Sequence, residues 1–142
     1  MSIRTASARW EGTLTGGTGT MRTGKGGLEA PFSFKSRFQE GEGSNPEELI
    51  GAAHAGCFSM ALSKGLEDAG FPPTSVDTTA SVHFDQVDGK PTVTAIDLET
   101  RASAPGIDEA TFAKVAEATK EGCPISRLLS PGAKINLTAT LV

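Results

Sequence analysis

The sequence predicts an α+β fold that forms one domain over residues 1–142. Three observations support this class: short strand-like stretches fill the N-terminal part, two helical segments lie far apart in the chain, and a long hairpin pattern lies between them. Strands and helices do not alternate regularly, which argues against a doubly wound parallel sheet. A chain of 142 residues is also a common size for a single domain.

The N-terminal stretch from Ala6 to about Phe38 is divided by turn residues, among them Gly16-Gly17, Gly26-Gly27 and Pro31. Short segments between such turns are typical of neighbouring antiparallel strands. We therefore expect a curled meander of three strands in this part of the chain.

The central segment begins with strong helix-start signals. Asn45 can cap the helix, Pro46 suits its first position, and Glu48 lies where its carboxylate can complete a capping box. Gly70 and the two prolines after it are typical of a helix end. These signals predict a helix that ends near Ala69.

The remaining segments show strand and helix patterns in turn. β-Branched and apolar residues flank a turn at Val87–Lys90, and the apolar spacing becomes helical further along the chain. The predicted elements are a hairpin of 76–84 with 92–102, a helix over 108–122, a helical turn after Cys123-Pro124 and a final strand over 135–141.

The central helix is apolar almost all round, because the segment EELIGAAHAGCFSMAL has few polar positions. Such a helix must be covered on every side, and one chain with about six strands lacks the surface to do it. We therefore expect an intertwined homodimer. The apolar run from Leu49 to Leu62 falls short of the ~20 residues that span a bilayer, so it predicts a buried core helix.

Charge argues against several classes of partner. The net charge is −4, the isoelectric point is near 5.2 and no Lys/Arg cluster is present, so neither nucleic acid nor a membrane surface is an expected partner. The opening residues MSIRTASARWEG lack the apolar stretch of a secretory signal, which predicts a cytoplasmic protein. In that compartment two cysteines are more often redox-active or metal-binding than a permanent disulfide.

The two cysteines lie in different settings, Cys57 inside the apolar helix and Cys123 at a Gly-Cys-Pro break. Two-step peroxide reduction needs one thiol that is oxidised and a second that condenses with it. Taken alone, Cys57 also fits a small core residue, since burial raises the pKa of a thiol and makes it inert. A reactive Cys57 needs a nearby cation, because it lies too far along the helix for the dipole to help. Cys123 likewise fits an ordinary residue at a helix junction.

Three segments carry a longer signature: SRFQEGEGSNPEELIGAAHAGCFSMALS, EGCPISRLL and ARWEGTL. Together they resemble the OsmC/Ohr family of organic hydroperoxide reductases, and more closely its OsmC branch. The resemblance covers essentially the whole chain and implies an intertwined homodimer with antiparallel sheets packed around two central helices. It also implies a peroxidatic Cys57, a resolving Cys123, and a catalytic site completed by Arg37 and Glu47.

These four residues suit the implied chemistry. Arg37 would lower the pKa of Cys57 and hold the peroxide, while Glu47 would fix the guanidinium by paired hydrogen bonds. The Cys57 thiolate would attack the outer peroxide oxygen, an alcohol would leave, and Cys123 would capture the sulfenic acid as a disulfide. The resemblance implies organic hydroperoxides as substrates, hydrogen peroxide more weakly, and a dithiol reductant of the lipoyl type in a stress response. Sulfur alone carries the two electrons, so no cofactor is expected.

Helix geometry separates Glu47 from Cys57. Ten residues on one helix span about 15 Å along the axis and leave the two positions about 80° apart. We therefore expect Glu47, together with Arg37, to reach Cys57 of the other subunit, which would make the dimer obligatory for activity.

Other interpretations stay open from the residues alone. Glu47 also fits a favourable charge in the first turn of its helix. His54, one turn before Cys57, fits a hydrogen-bonded core residue better than a base, and His83 fits a structural or exposed role. His54, Cys57 and Cys123 together would make an incomplete metal site. The alternative functions are a non-catalytic redox sensor and a dimer that binds a metal or a hydrophobic ligand.

Overall fold

A computed structural model describes all 142 residues, and its contacts divide the chain into two compact units, Met1–Leu49 and Ile50–Val142. The mixture of sheets and helices confirms the α+β class. In chain order the elements are β1 (Ala6–Glu11), β2 (Thr18–Thr23), β3 (Glu29–Ser33), α1 (Phe34–Phe38), α2 (Pro46–Asp68), β4 (Ser75–Val87), β5 (Lys90–Ser103), α3 (Glu109–Gly122), α4 (Pro124–Leu129) and β6 (Lys134–Leu141).

The N-terminal unit is built on an antiparallel sheet in the order β1-β2-β3, which confirms the predicted meander. The rings of Trp10 and Phe32 pack with their centroids 5.2 Å apart. Gly19 lies beside both rings, and a Cβ there would be 2.5 Å from the Phe32 ring and 2.7 Å from the Trp10 ring. A side chain at this position would therefore separate the sheet from its aromatic pair.

The meander ends earlier than predicted, because residues 34–38 form the short helix α1. Ser33 caps this helix: its hydroxyl accepts from the Ser36 N–H at 3.1 Å, while the Ser36 hydroxyl accepts from the Ser33 N–H at 2.9 Å. This reciprocal capping box satisfies two backbone donors and turns the chain out of the sheet.

Helix α2 begins and ends close to the predicted positions. Asn45 accepts the Glu48 N–H at 2.8 Å, but the Glu48 carboxylate accepts from the Ser44 hydroxyl instead of completing the expected capping box. Gly70 has a φ of +91°, the left-handed conformation that ends the helix. No helix of the chain is long and apolar enough to cross a bilayer.

The C-terminal unit contains the predicted hairpin, in which β4 and β5 join at Asp88-Gly89. Both turn residues have positive φ, 51° and 74°, as a tight hairpin turn requires. The final strand β6 pairs with β5 in parallel, so this sheet is mixed and not antiparallel as expected. The reason is the connection: α3 and α4 carry the chain back across the sheet before β6 begins, and such a crossover produces a parallel pair.

The core of the C-terminal unit lies between the helices and this sheet. One face of α2, at four-residue spacing, is fully buried against side chains of β5 and α3. The main residues of this core are Phe58, Leu62, Leu66, Ile96, Leu98 and Phe112. The same packing fixes the part of α2 that carries Cys57.

Candidate active site

The two cysteine sulfurs meet inside the C-terminal unit. Cys57 is partly buried on α2, Cys123 is buried between α3 and α4, and both are free thiols. Cys123 Sγ donates a hydrogen bond to Cys57 Sγ, with the two sulfurs 2.9 Å apart. The structure therefore brings together two thiols that lie sixty-six residues apart in the sequence.

The position of Cys123 follows from a change of helix. Its N–H donates to the Thr119 carbonyl at 2.9 Å and closes α3, while its carbonyl accepts the Arg127 N–H at 2.9 Å and opens α4. Pro124 occupies the first turn of α4, where its missing N–H costs nothing. Because the residue is bonded into both helices, its sulfur is held in place towards α2.

The contacts around the two sulfurs shift their pKa values in opposite directions, as expected for a coupled pair. Burial raises the pKa of Cys57, and the hydrogen bond with Cys123 raises it further, against a lowering by the Ile125 N–H. Burial also acts to raise the pKa of Cys123, but the bond with Cys57 and the N–H and hydroxyl of Ser126 bring it below the ordinary value. When Cys123 ionises, the Cys57 S–H can donate in its place. Within a single chain, the contacts of Cys57 therefore do not favour its thiolate.

Arg37 and Glu47 form a close ion pair in the N-terminal unit. Arg37 Nη2 donates to Glu47 Oε1 at 2.8 Å, and Arg37 Nε approaches both carboxylate oxygens at 3.2 and 3.3 Å. The carboxylate is buried, whereas the guanidinium is about one-third exposed. Glu47 is thus more than a first-turn charge: it holds the guanidinium in one orientation and leaves part of it accessible.

An apolar cavity of about 240 Å³ lies beside Arg37 in the same unit. The guanidinium stands over the Phe38 ring, 5.3 Å from its centroid. Sequence reasoning did not find this cavity, because its aromatic residues come from separate elements of the chain. The cavity is lined by Trp10, Leu14, Phe32, Ser33, Phe34, Arg37 and Phe38.

The family model described as OsmC-like protein matches residues 39–138. The chain is 51% identical over 123 residues to "Peroxiredoxin OsmC" of Escherichia coli (strain K12), with 86% of each chain covered. The chain belongs to the OsmC-like protein family.

A more distant relative and a solved structure are also similar to this chain. An "Organic hydroperoxide resistance protein" of Xanthomonas axonopodis pv. citri is 30% identical over 99 residues, which is 69% of this chain and 68% of that protein. A crystal structure of an organic hydroperoxide resistance protein from Elizabethkingia anophelis superposes with a TM-score of 0.76 at 22% identity, covering 99% of each chain. The second match shows that the OsmC-like fold extends over essentially the whole chain.

A buried polar pair adjoins the sulfurs of this OsmC-like chain. His54 is completely buried on α2, and its Nε2 lies 2.7 Å from the Ser126 hydroxyl of α4. Burial lowers the pKa of His54, so its imidazole is neutral at pH 7. The structure thus confirms the predicted core role of His54. The sequence analysis missed its partner Ser126, because the only signal for Ser126 was its position three residues after Cys123.

The other histidine lies elsewhere. His83 is exposed on β4, and its Nε2 is 2.6 Å from Asp97 Oδ2. No group of three or more His, Cys, Asp or Glu side chains converges to form a metal site. The geometry instead presents two reduced sulfurs in contact, which can form a disulfide after one of them is oxidised.

Proposed function

We propose that this OsmC-like protein is a thiol-dependent peroxidase that reduces organic hydroperoxides to alcohols. The observation that carries the proposal is the pair of free thiols with sulfurs 2.9 Å apart. A sulfenic acid formed on either sulfur would have its resolving partner already in contact. The printed names of the relatives, peroxiredoxin and organic hydroperoxide resistance protein, support the same activity.

Cys57 is the proposed peroxidatic residue, because its side chain is partly exposed while that of Cys123 is buried. The Cys57 thiolate attacks the outer oxygen of the hydroperoxide, an S–O bond forms, the O–O bond breaks, and the alkoxide leaves as an alcohol after taking a proton. Cys123 then attacks the sulfenic sulfur and releases water, which leaves a Cys57–Cys123 disulfide. An external dithiol, of the lipoyl type in this proposal, restores both thiols.

This assignment requires a cation near Cys57. Burial, Cys123 and the Ile125 N–H account for the pKa of Cys57, and none of these is a cation. Only the thiolate is a good nucleophile, so a positive charge must lower the raised pKa of Cys57. Arg37, held by Glu47, has the charge and the fixed geometry for that role.

We propose that Arg37 and Glu47 act on Cys57 of a second copy of the chain. Helix α2 is continuous from Pro46 to Asp68, so Glu47 and Cys57 are about 15 Å apart along its axis. The side of α2 that bears Ala53, Gly56 and Met60 is exposed, with Met60 78% exposed. An apolar helix face of this kind is typical of a homodimer interface, and the proposed intertwined homodimer would cover it.

The proposed substrate class follows from the surroundings of Arg37. A guanidinium offers several N–H donors to the two peroxide oxygens, and the adjoining cavity is lined mainly by aromatic rings and a leucine. A hydrocarbon tail would gain from burial there, whereas hydrogen peroxide has no tail to bury. We therefore propose that the protein prefers organic hydroperoxides to hydrogen peroxide. In this proposal the whole chain is one OsmC-like domain that acts in the cytoplasm during stress.

Intact mass and free-thiol counts test this function directly. The reduced protein is treated with one equivalent of cumene hydroperoxide, alongside Cys57→Ser and Cys123→Ser variants. Wild type should lose both thiols, Cys123→Ser should stop at a sulfenic acid, and Cys57→Ser should not react. Repeated turnover with a dithiol separates an enzyme from a redox sensor, which reacts once and then stays oxidised. Survival of both thiols in wild type would contradict the proposal.

A further inference from the structure

The buried contact between His54 and Ser126 has a direction that can be deduced. His54 Nδ1 is buried and has no hydrogen-bond partner, whereas Nε2 contacts the Ser126 hydroxyl at 2.7 Å. A neutral imidazole carries one N–H, and a buried N–H without a partner costs more than a buried lone pair without one. The proton therefore belongs on Nε2, and His54 donates to Ser126.

This direction frees the Ser126 hydroxyl to donate elsewhere. Ser126 is 2% exposed and follows Cys123 by three residues at the start of α4, so the two side chains lie on one side of that turn. The Cys123 side chain makes no capping hydrogen bond to the helix. Burial acts to raise the pKa of Cys123, and the Ser126 hydroxyl is one of the groups that lower it. With its oxygen already accepting from His54, the Ser126 hydroxyl can give its proton to the Cys123 sulfur.

We propose that His54 is a positioning residue for the resolving step: it holds the Ser126 hydroxyl as a hydrogen-bond donor to the Cys123 thiolate. The donors run in one direction, from His54 on α2 to Ser126 on α4 and then to the sulfur. His54 itself touches neither reacting sulfur in this arrangement. This inference rests on the proposed peroxidase function and deepens its second step.

The chemical step balances without a further reactant. Cys123 first loses its proton to solvent, and the thiolate attacks the sulfur of the Cys57 sulfenic acid. An S–S bond forms, the S–O bond breaks, and the leaving hydroxide takes a proton to become water. The thiolate is oxidised, the sulfenic sulfur is reduced, and the Ser126 hydroxyl stabilises the negative charge before the attack.

The charged groups near Cys123 do not replace this donor chain. The cleft that reaches Cys123 from α2 and α3 also holds Lys64 and Asp68, which pair with each other at its exposed rim. From α2 the titratable groups facing the sulfur are Cys57 and, through Ser126, His54. The hydroxyl and N–H groups at the start of α4 complete its surroundings.

The pKa of Cys123 tests the inference without any peroxide. It is measured from the ultraviolet absorbance of the thiolate in a Cys57→Ser background, where Cys123 is the only cysteine. Ser126→Ala and His54→Leu should each raise this pKa by about one unit, the effect of losing one charge-assisted hydrogen bond. His54→Gln, whose amide N–H can replace Nε2–H, should recover most of the shift.

The matched control is Ser59→Ala, because Ser59 lies on α2 like His54. This variant removes the 2.8 Å hydrogen bond from the Ser59 hydroxyl to Thr78 of β4. It should leave the Cys123 pKa unchanged, because Ser59 is no part of the donor chain. An unchanged Cys123 pKa in Ser126→Ala would overturn the inference even if His54→Leu does not fold, and so would a shift in His54→Gln as large as the one in Ser126→Ala. A shift in the control of the same size as in Ser126→Ala would overturn it as well.

Stopped-flow kinetics then separate the two steps with cumene hydroperoxide. Ser126→Ala should slow disulfide formation about threefold, because the loss of thiolate is partly offset by the greater nucleophilicity of a more basic thiolate, and it should leave sulfenic acid formation unchanged. If the sulfenic acid forms but resolves at the wild-type rate, the inference fails and the peroxidase function stands. If no sulfenic acid forms in wild type, the peroxidase function fails, and the pKa measurement alone decides whether His54 positions Ser126.

Discussion

The sulfur pair and the ion pair are assembled in opposite ways. Cys57 and Cys123 are sixty-six residues apart and meet only because three helices pack over one sheet. Arg37 and Glu47 are ten residues apart and meet across the short connection between α1 and the first turn of α2. The first pair depends on the tertiary fold, and the second depends mainly on local structure.

The chemistry is divided in the same way. The sulfurs can exchange electrons, but their own contacts leave the Cys57 pKa raised and the Cys123 pKa lowered. Neither Arg37 nor Glu47 has redox chemistry. The Arg37 guanidinium is nevertheless a cation held in a fixed position, and a cation close to a thiol favours its thiolate. The comparison teaches that good geometry between two thiols does not by itself decide which one attacks. In the proposed mechanism, a charge from outside the sulfur pair decides it.

The largest expected effect on activity comes from replacing Cys57, the proposed attacking residue of the sulfur pair. Cys57→Ser should reduce peroxide consumption by on the order of a thousandfold or more, because a serine hydroxyl is not ionised at neutral pH. Cys123→Ser is the matched control and should still form a sulfenic acid at the wild-type rate. A sulfenic acid that appears on Cys123 in the Cys57→Ser variant would reverse the assigned roles.

The next effect removes the positive charge. Arg37→Ala should slow sulfenic acid formation about a hundredfold at pH 7, since without a cation the Cys57 pKa stays high. The rate should recover as the pH rises, because alkali then supplies the thiolate. Arg22→Ala is the control: Arg22 makes a similar two-bond contact with Glu29, at 3.0 and 3.2 Å, in the same unit. Equal losses in both variants would show a general effect on the N-terminal unit.

A smaller effect is expected from replacing Glu47, which weakens the ion pair but keeps the Arg37 cation. Glu47→Gln preserves shape but replaces charge-assisted bonds with neutral ones, so sulfenic acid formation should slow about tenfold. The loss should be greater for a bulky hydroperoxide with a defined orientation than for hydrogen peroxide, which tests positioning by a comparison of kcat/KM values. A Glu29→Gln variant, which weakens the similar contact with Arg22, should retain the wild-type rate.

The smallest effect concerns stability near the sulfur pair. Burial lowers the pKa of His54, so the unfolded chain binds a proton more readily than the folded one. The stabilisation from neutral His54 is complete above the unfolded pKa of about 6.5 and is lost as the pH falls below it. Between pH 7.5 and 5, the melting temperature of wild type should fall a few degrees more than that of His54→Gln. Parallel curves would show that His54 does not titrate differently on folding.

Local signals in the sequence were enough to predict much of the fold. Asn45 and Gly70 mark the ends of α2, and Asp88-Gly89 marks the hairpin turn, because each acts on its own backbone. Helix α1 was missed although its signal is local, since Ser33 and Ser36 cap only a single turn. The parallel pairing of β6 depends on how a whole helical crossover packs, and no short segment encodes that information.

The candidate site likewise has parts that could be predicted from the sequence and parts that depend on tertiary packing. Cys57 and Cys123 were singled out from their settings in the sequence. Their roles, and the choice of Arg37 and Glu47, came from a family resemblance, which records tertiary contacts that the residues alone do not express. The 2.9 Å contact between the sulfurs and the directions of their pKa shifts could not be predicted, because both depend on atoms brought in by α4. Ser126 was missed for the same reason.

A mixed dimer tests most directly whether the sulfur pair of one chain works with the ion pair of another. A Cys57→Ser chain and an Arg37→Ala chain are co-expressed with different affinity tags, and the mixed dimer is purified through both. If Arg37 acts on Cys57 of the partner, one site is complete and the dimer regains about half of wild-type activity. If the mixed dimer is no more active than either variant alone, the ion pair does not act across the subunits.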